Sequence, residues 1–268
     1  MAQRPATALP LAAGRGESMR PLTDTCPRPL LQVRGKPLLQ WHLEALARAV
    51  CEAAVVNTAW IGEQIESCFG DSFNPAPAVQ AVASVAPGGS TGVTLRYSHE
   101  GRDFGGALET AGGIVRALPH LADVFWVAAG DVFASDFVFD PAAMATFAAS
   151  GLLAHIWLVP NPAHNLGGDF GLSEQGLALN LPKVATPDGT DAPQRYTFST
   201  IALYRRHSLR PPGALFQQAT RQASKRRLRR YCARPWTRKP WGRRFTPGLG
   251  RMWGRRGAWR RSMGSGCV

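Results

Sequence analysis

The sequence predicts an α/β protein with a layered, mainly parallel sheet and helices on both faces, and three observations predict it. Short apolar runs recur along the chain, as at Ala53–Asn57 and Val124–Ala129. Between them lie segments whose apolar residues repeat at helical spacing, such as Leu39, Leu43, Leu46, Ala47 and Val50. Two of the runs end in glycine turns, at Gly14–Gly16 and at Gly130. Strands that alternate with helices lie side by side in a parallel sheet, and the ligand crevice of such sheets opens beyond the carboxyl ends of the strands.

The elements follow in order. Ala6–Ala13 is expected to be the first strand, although Pro10 lacks the N–H that a central strand uses. Leu38–Val50 reads as a helix, Ala53–Asn57 as a strand and Ile61–Phe69 as a short helix. Residues 73–92 are rich in Pro, Ala, Gly and Ser and read as a loop. Val93–Tyr97 is the next strand, Glu109–Leu118 a helix, and Val124–Ala129 a buried strand. Beyond Ser150, Leu152–Val159, Gly168–Leu172 and Tyr196–Tyr204 are expected to be strands, so the second half is strand-rich. No internal repeat is present.

Composition narrows the function classes. A hydrophobic share of 45% over 268 residues is enough to bury one core. No apolar run approaches the ~20 residues that span a bilayer, so no membrane partner is expected and a cytoplasmic location is. The five cysteines form no CxxC pair and are expected to be free thiols. The net charge of +13 is concentrated at one end: residues 221–268 carry 16 Lys or Arg and no acid, whereas residues 1–220 carry 15 basic and 18 acidic side chains. Residues 1–220 are therefore expected to form the domain and 221–268 a basic, disordered tail.

Several residues could carry chemistry. The turn Leu11-Ala12-Ala13-Gly14-Arg15-Gly16 allows close backbone approach, and successive N–H groups there could cradle phosphate oxygens, though such a turn serves plain structure as readily. Arg15, Arg20 and Arg28 could hold a polyphosphate, or simply form a solvated basic loop. Asp131, at the tip of a strand, could hold Mg2+, or accept backbone hydrogen bonds as a turn aspartate.

The longer pattern Leu11-Ala12-Ala13-Gly14-Arg15-Gly16-Glu17-Ser18-Met19-Arg20-Pro21-Leu22-Thr23, then Pro27-Arg28-Pro29-Leu30 and Gly35-Lys36-Pro37-Leu38, resembles the signature of the sugar-phosphate nucleotidyltransferases. Val56–Trp60, Leu108–Gly113, Gly130–Val132, Gly168–Phe170 and Tyr196–Ser199 continue the likeness in order. It is greatest to the uridylyltransferases of cell-wall recycling that act on N-acetylmuramate 1-phosphate, with the mannose-1-phosphate guanylyltransferases as the nearest alternative.

The resemblance implies a Rossmann-like sheet with a small strand-rich sugar-binding part. It also implies an NTP substrate, UTP first among them, a sugar 1-phosphate, and Mg2+. Leu11, Ala12, Ala13, Gly14, Gly16, Arg28, Asn57, Thr110 and Gly112 are expected to bind the nucleotide, with Arg28 and Asp131 catalytic and Asp131 the metal ligand. Asn161, Gly168 and Asp169 are expected on the sugar side.

Five departures from the family pattern stand out. Ser18 and Arg28 replace Arg and Lys; Ser18 removes a phosphate-binding cation, which implies reduced turnover. Pro10 replaces an ordinary strand residue, and Thr200 replaces Gly. The tail lacks the closing Asp-Val-Gly-Thr-Pro segment, whose Asp the resemblance implies is a second metal ligand. Shifting the frame by one nucleotide at Met252-Trp253-Gly254 forces Val-Gly after a codon that permits Asp, and upstream it permits Lys-Ala-Pro-Leu from Ser224 onward. Residues from about 221 are therefore expected to be out-of-frame translation, an idea defeated by a nucleotide sequence that lacks Lys-Ala-Pro-Leu in the alternative frame. The competing reading is a nucleic-acid-binding arm in which Arg meets phosphates and Trp stacks on bases; no specific nucleic-acid partner is expected.

Overall fold

The computed structural model describes residues 6–75, 92–180 and 194–209, and the strand at 242–245. Four parallel strands form the centre of one sheet. β1 (Thr7–Leu11) lies between β4 (Ala53–Thr58) and β7 (Val124–Ala129), and β6 (Val93–His99) lies outside β4. Each of these pairings is parallel. β11 (Arg195–Arg205) runs antiparallel to β7 and to β8 (Ala154–Val159), so the sheet is parallel at its core and mixed at its margin. β5 (Ser72–Phe73) adds an antiparallel edge to β6 and reaches only the first residue of the stretch expected to be loop; residues 76–91 of that stretch lie outside the described residues. A small ribbon of β2 (Gln32–Val33) and β3 (Lys36–Pro37) stands apart.

Pro10 does not displace β1 from the centre. The β1–β4 register runs through Thr7, Ala8 and Leu11 and skips Leu9 and Pro10, the interruption that a missing N–H produces. The expected conflict is thus absorbed locally.

Alternation along the strands sorts the core into two layers. Ala8, Ala54, Val56, Trp126 and Ala128 face helices α1 (Leu38–Arg48), α2 (Gly62–Phe69) and α5 (Pro141–Ala149). Leu9, Val55, Phe125 and Val127 face the opposite way, toward Ile114 and Ala117 of α4 (Glu109–Ala117). Helices therefore cover both faces, as expected for buried parallel strands. A short helix α3 (Glu100–Phe104) follows β6 directly.

The strand-rich second half appears as β9 (Phe170–Leu172), β10 (Ala178–Leu179) and the first residues of β11. β12 (Gly242–Phe245) pairs parallel to β8, so the expectation of a wholly disordered tail is corrected at these four residues. Pairing uses backbone groups, and a strand edge accepts them without any side-chain pattern. The remaining expectations for 221–268 lie outside the described residues. Cys51 and Cys68 are free thiols, as expected, and Cys232 and Cys267 lie outside the described residues. Among the described residues no helix is long and apolar enough to cross a membrane.

Candidate active site

The order β6-β4-β1-β7 places the reversal of winding between β1 and β7, where a parallel sheet opens its crevice. Leu11 is in register with Ala129, and Gly130 N–H donates to Leu11 O at 2.8 Å. The turn after β1 and the tip of β7 are thus neighbours because of strand pairing alone.

The turn after β1 has two contrasting glycines. At Gly14 a Cβ would meet nothing within 4 Å, so this residue leaves the mouth open for backbone approach. Gly16 sits at φ 68 with Arg28 Cβ and Thr23 Cγ2 each 3.0 Å from where its own Cβ would lie, so this residue closes the turn onto the segment that carries Arg28. Buried Thr23 donates from Oγ1 to Gly16 O at 2.9 Å and pins it.

Arg28 crosses to the next strand tip. Its Nη1 lies 3.1 Å from Asp131 Oδ2, with both side chains about a quarter exposed, 28% and 27%. Glycine turn, arginine and aspartate therefore meet in one crevice. The other two arginines are engaged elsewhere: Arg15 lies over the Trp60 ring at 4.1 Å, and Arg20 pairs with Asp24 at 2.6 Å. Ser18 is exposed on the turn.

Buried His42, on α1, supports the Asp131 loop from below. Its Nε2 lies 2.7 Å from Val132 O, and because a carbonyl only accepts, Nε2 carries the hydrogen. Burial lowers the His42 pKa below its ordinary 6.5, opposed by the Val132 hydrogen bond and the charge of Asp131.

Among the described residues no group of three or more His, Cys, Asp and Glu forms a metal cage. A magnesium ion at Asp131 would draw its other ligands from water and phosphate oxygens, a set that magnesium commonly takes, so the residues present fit it.

The family pattern described as Nucleotidyl transferase matches residues 7–172, more than half the chain. The chain belongs to the nucleotidyl transferase family. It is 43% identical over 200 residues to the N-acetylmuramate alpha-1-phosphate uridylyltransferase of Neisseria meningitidis, a match that covers 74% of each protein. The UTP–glucose-1-phosphate uridylyltransferase of Synechocystis is 33% identical over 132 residues, 46% of this chain and 30% of that one. In fold the chain is similar to the UTP-bound UGPase of Acinetobacter baumannii, with a TM-score of 0.58, 14% identity, and coverage of 89% and 86% of the two chains. This nucleotidyltransferase is thus an enzyme-family member by sequence, and its fold is that of the solved nucleotidyltransferase.

The remaining residues singled out in the sequence fall into two groups. Asn57 is buried: its Oδ1 accepts from Ala12 N–H at 2.7 Å and its Nδ2 donates to Glu100 Oε1 at 2.8 Å. Its amide is committed within the protein, so Asn57 shapes the turn from behind. Thr110 is exposed in the first turn of α4, and buried Gly112 packs closely on Leu108, whose Cβ lies 2.7 Å from where a Cβ at 112 would be.

On the sugar side Asn161, Gly168 and Asp169 are brought together, but their polar atoms are spent on neighbours. Asn161 donates to Leu166 O and Arg195 O and accepts from Thr197 Oγ1. Asp169 accepts from Asn165 Nδ2 and from Phe198 N–H. Gly168, at φ 58, leaves no space for a side chain, with Arg195 Cβ 2.8 Å from where its Cβ would lie. The three residues hold the shape of the β9–β11 ribbon.

Sequence reasoning missed His42, Glu100 and Trp60. Glu100 is fully buried and accepts from both Asn57 and Leu108 N–H. Burial raises its pKa above the ordinary carboxyl range, opposed by those two hydrogen bonds and by the positive charge of Arg116. Its position just past the carboxyl end of β6, on the same side of the sheet as Asn57 at the end of β4 and Asp131 beyond β7, was the available signal.

Proposed function

We propose that the chain transfers a uridylyl group from UTP to N-acetylmuramate 1-phosphate with release of pyrophosphate, a cytoplasmic step of cell-wall recycling. The observation that carries this reading is the convergence of the Gly14–Gly16 turn and Asp131, joined through Arg28, at the switch point of the sheet. The extent of the likeness to the Neisseria meningitidis protein supports the choice of base and sugar.

The backbone of Leu11–Gly16 would hold the triphosphate at the open side of Gly14. Arg28 would place guanidinium charge on phosphate oxygens, and Asp131 would hold Mg2+, which when bound neutralises phosphate charge. An oxygen of the sugar phosphate attacks the α-phosphorus in line. The bond to the β-phosphate breaks, and pyrophosphate departs opposite. No side chain need form a covalent intermediate; positioning and charge neutralisation carry the rate.

Pyrophosphate release from UTP with N-acetylmuramate 1-phosphate, compared with GTP and mannose 1-phosphate, tests the reading. Asp131→Ala is expected to lower kcat by about 100-fold or more, the size of losing a main charge-stabilising group. Activity that ignores Asp131→Ala sinks the metal role, and faster turnover of the guanosine pair sinks the choice of substrates. Exposed, uncharged Ser18 favours one second reading, a relative that binds nucleotide without turning it over; UTP binding with no pyrophosphate release would select it.

A further inference from the structure

We infer that Glu100, through Asn57, is a positioning residue that locks the phosphate-side turn and the loop before α4 into one unit, so that both sides of the nucleotide site are set together. The chain of contacts is short and complete. Ala12 N–H donates to Asn57 Oδ1 at 2.7 Å, Asn57 Nδ2 donates to Glu100 Oε1 at 2.8 Å, and Leu108 N–H donates to Glu100 Oε2 at 2.7 Å. Two side chains thus join backbone that follows β1 to backbone that opens α4, 96 residues apart from Ala12 to Leu108.

Polarity fixes the direction of every link. A backbone N–H only donates, so the Asn57 oxygen must face Ala12 and its NH2 must face Glu100. Glu100 then meets two donors, and a carboxylate, which only accepts, suits both. Gly113 packs its bare Cα against the pair, since a Cβ there would lie 2.6 Å from Glu100 Oε1 and 2.8 Å from Asn57 Nδ2. The Glu100 carboxyl is wholly buried and turned to these partners rather than to solvent. Because each link lies in a water-poor interior, a single mismatched donor is felt at both ends.

The inference rests on the proposed phosphate role of residues 11–16 and on the nucleotide role that the family resemblance implies for Thr110 and Gly112, and a polarity swap separates it from them. Glu100→Gln puts an NH2 against a donor. Asn57→Asp sets two carboxylates face to face. Combined, the changes restore every link: the carboxylate introduced at position 57 accepts from Ala12 N–H and from the amide introduced at position 100, and the oxygen of that amide accepts from Leu108 N–H.

Two readouts apply, UTP binding by titration calorimetry and hydrogen exchange at the Ala12 and Leu108 amides in the absence of nucleotide. Each single variant is expected to weaken UTP binding about tenfold, near the free energy of one hydrogen bond, and to speed exchange at both amides. The double variant is expected to return to within about threefold of wild type in both.

Singles with wild-type binding and exchange overturn the inference, as does a double variant no better than the weaker single. If the singles fail to fold, the double decides alone, and its own failure to fold also overturns the idea. Wild-type protein that binds no UTP, yet shows coupled exchange in the singles and recovery in the double, removes the proposed function and leaves the lock standing.

Discussion

Replacing Thr200 with glycine is expected to stabilise the protein. Thr200 is a β-branched residue at φ 68, in the stretch where the β11 register against β8 slips between Phe198 and Ala202. Left-handed backbone costs a residue with a Cβ about 1–2 kcal/mol. The Thr200 hydroxyl is also buried without a hydrogen-bond partner, which adds about 1–3 kcal/mol. Against these stand the methyl of partly buried Thr200, worth at most about 0.8 kcal/mol, and the extra freedom of glycine in the unfolded chain, about 0.5–1 kcal/mol. The balance favours Thr200→Gly by roughly 1–2 kcal/mol, or about 3–6 °C in Tm for a domain of this size.

Thermal unfolding of wild type, Thr200→Gly and Thr200→Ala reads the balance directly. Alanine removes the hydroxyl and keeps the Cβ, so its Tm should fall below that of the glycine variant. A glycine variant that melts at or below wild type, or an alanine variant equal to it, refutes the strain argument.

Two further outcomes follow from the site. Ser18→Arg restores a cation on the exposed face of the turn and is expected to raise kcat for pyrophosphate release, by up to about 100-fold; an unchanged kcat assigns the charge requirement elsewhere. His42 has a lowered folded pKa, so as pH falls below 6.5 the unfolded chain takes up the proton first and stability declines toward the folded pKa. Denaturant unfolding between pH 7.5 and 5 should show that decline, and His42→Gln should flatten it; an equal slope in both proteins removes His42 as its source.

The fold was legible where period and length agreed. Val124–Ala129 was read to the residue because a continuous apolar run between turns fits a strand buried on both faces. Leu38–Val50 was two residues too long, since apolar spacing continues past the point where the backbone at Val50 turns to φ 56. Helix Pro141–Ala149 was missed because its alanines and apolar residues give no sided pattern. Asp140-Pro141 was nevertheless a readable start, with the Asp140 carboxylate accepting from Ala142 N–H.

The site divided along a similar line. The closeness of the glycine turn and Asp131 was readable because both follow strands that pair in parallel, whereas the reach of Arg28 from the short 3-10 helix Arg28–Leu30 to Asp131 was not. The contacts of Asn57, Asn161 and Asp169 could not be read, because a sequence shows which side chains are polar and not which backbone groups they meet. Glu100 and His42 were hidden for the same reason: burial of a polar residue is a tertiary fact.

The bare Cα of Gly113 has a consequence for building hybrids of this protein with its relatives. Because that position, residue 57 and residue 100 pack against one another, the three form a unit of exchange that cuts across the linear order of segments. Grafting the stretch from β6 to α4 out of another chain imports two of the three, so a crossover between β4 and β6 succeeds only when the donor and recipient agree at position 57. Junctions placed before β4 or after α4 carry no such condition.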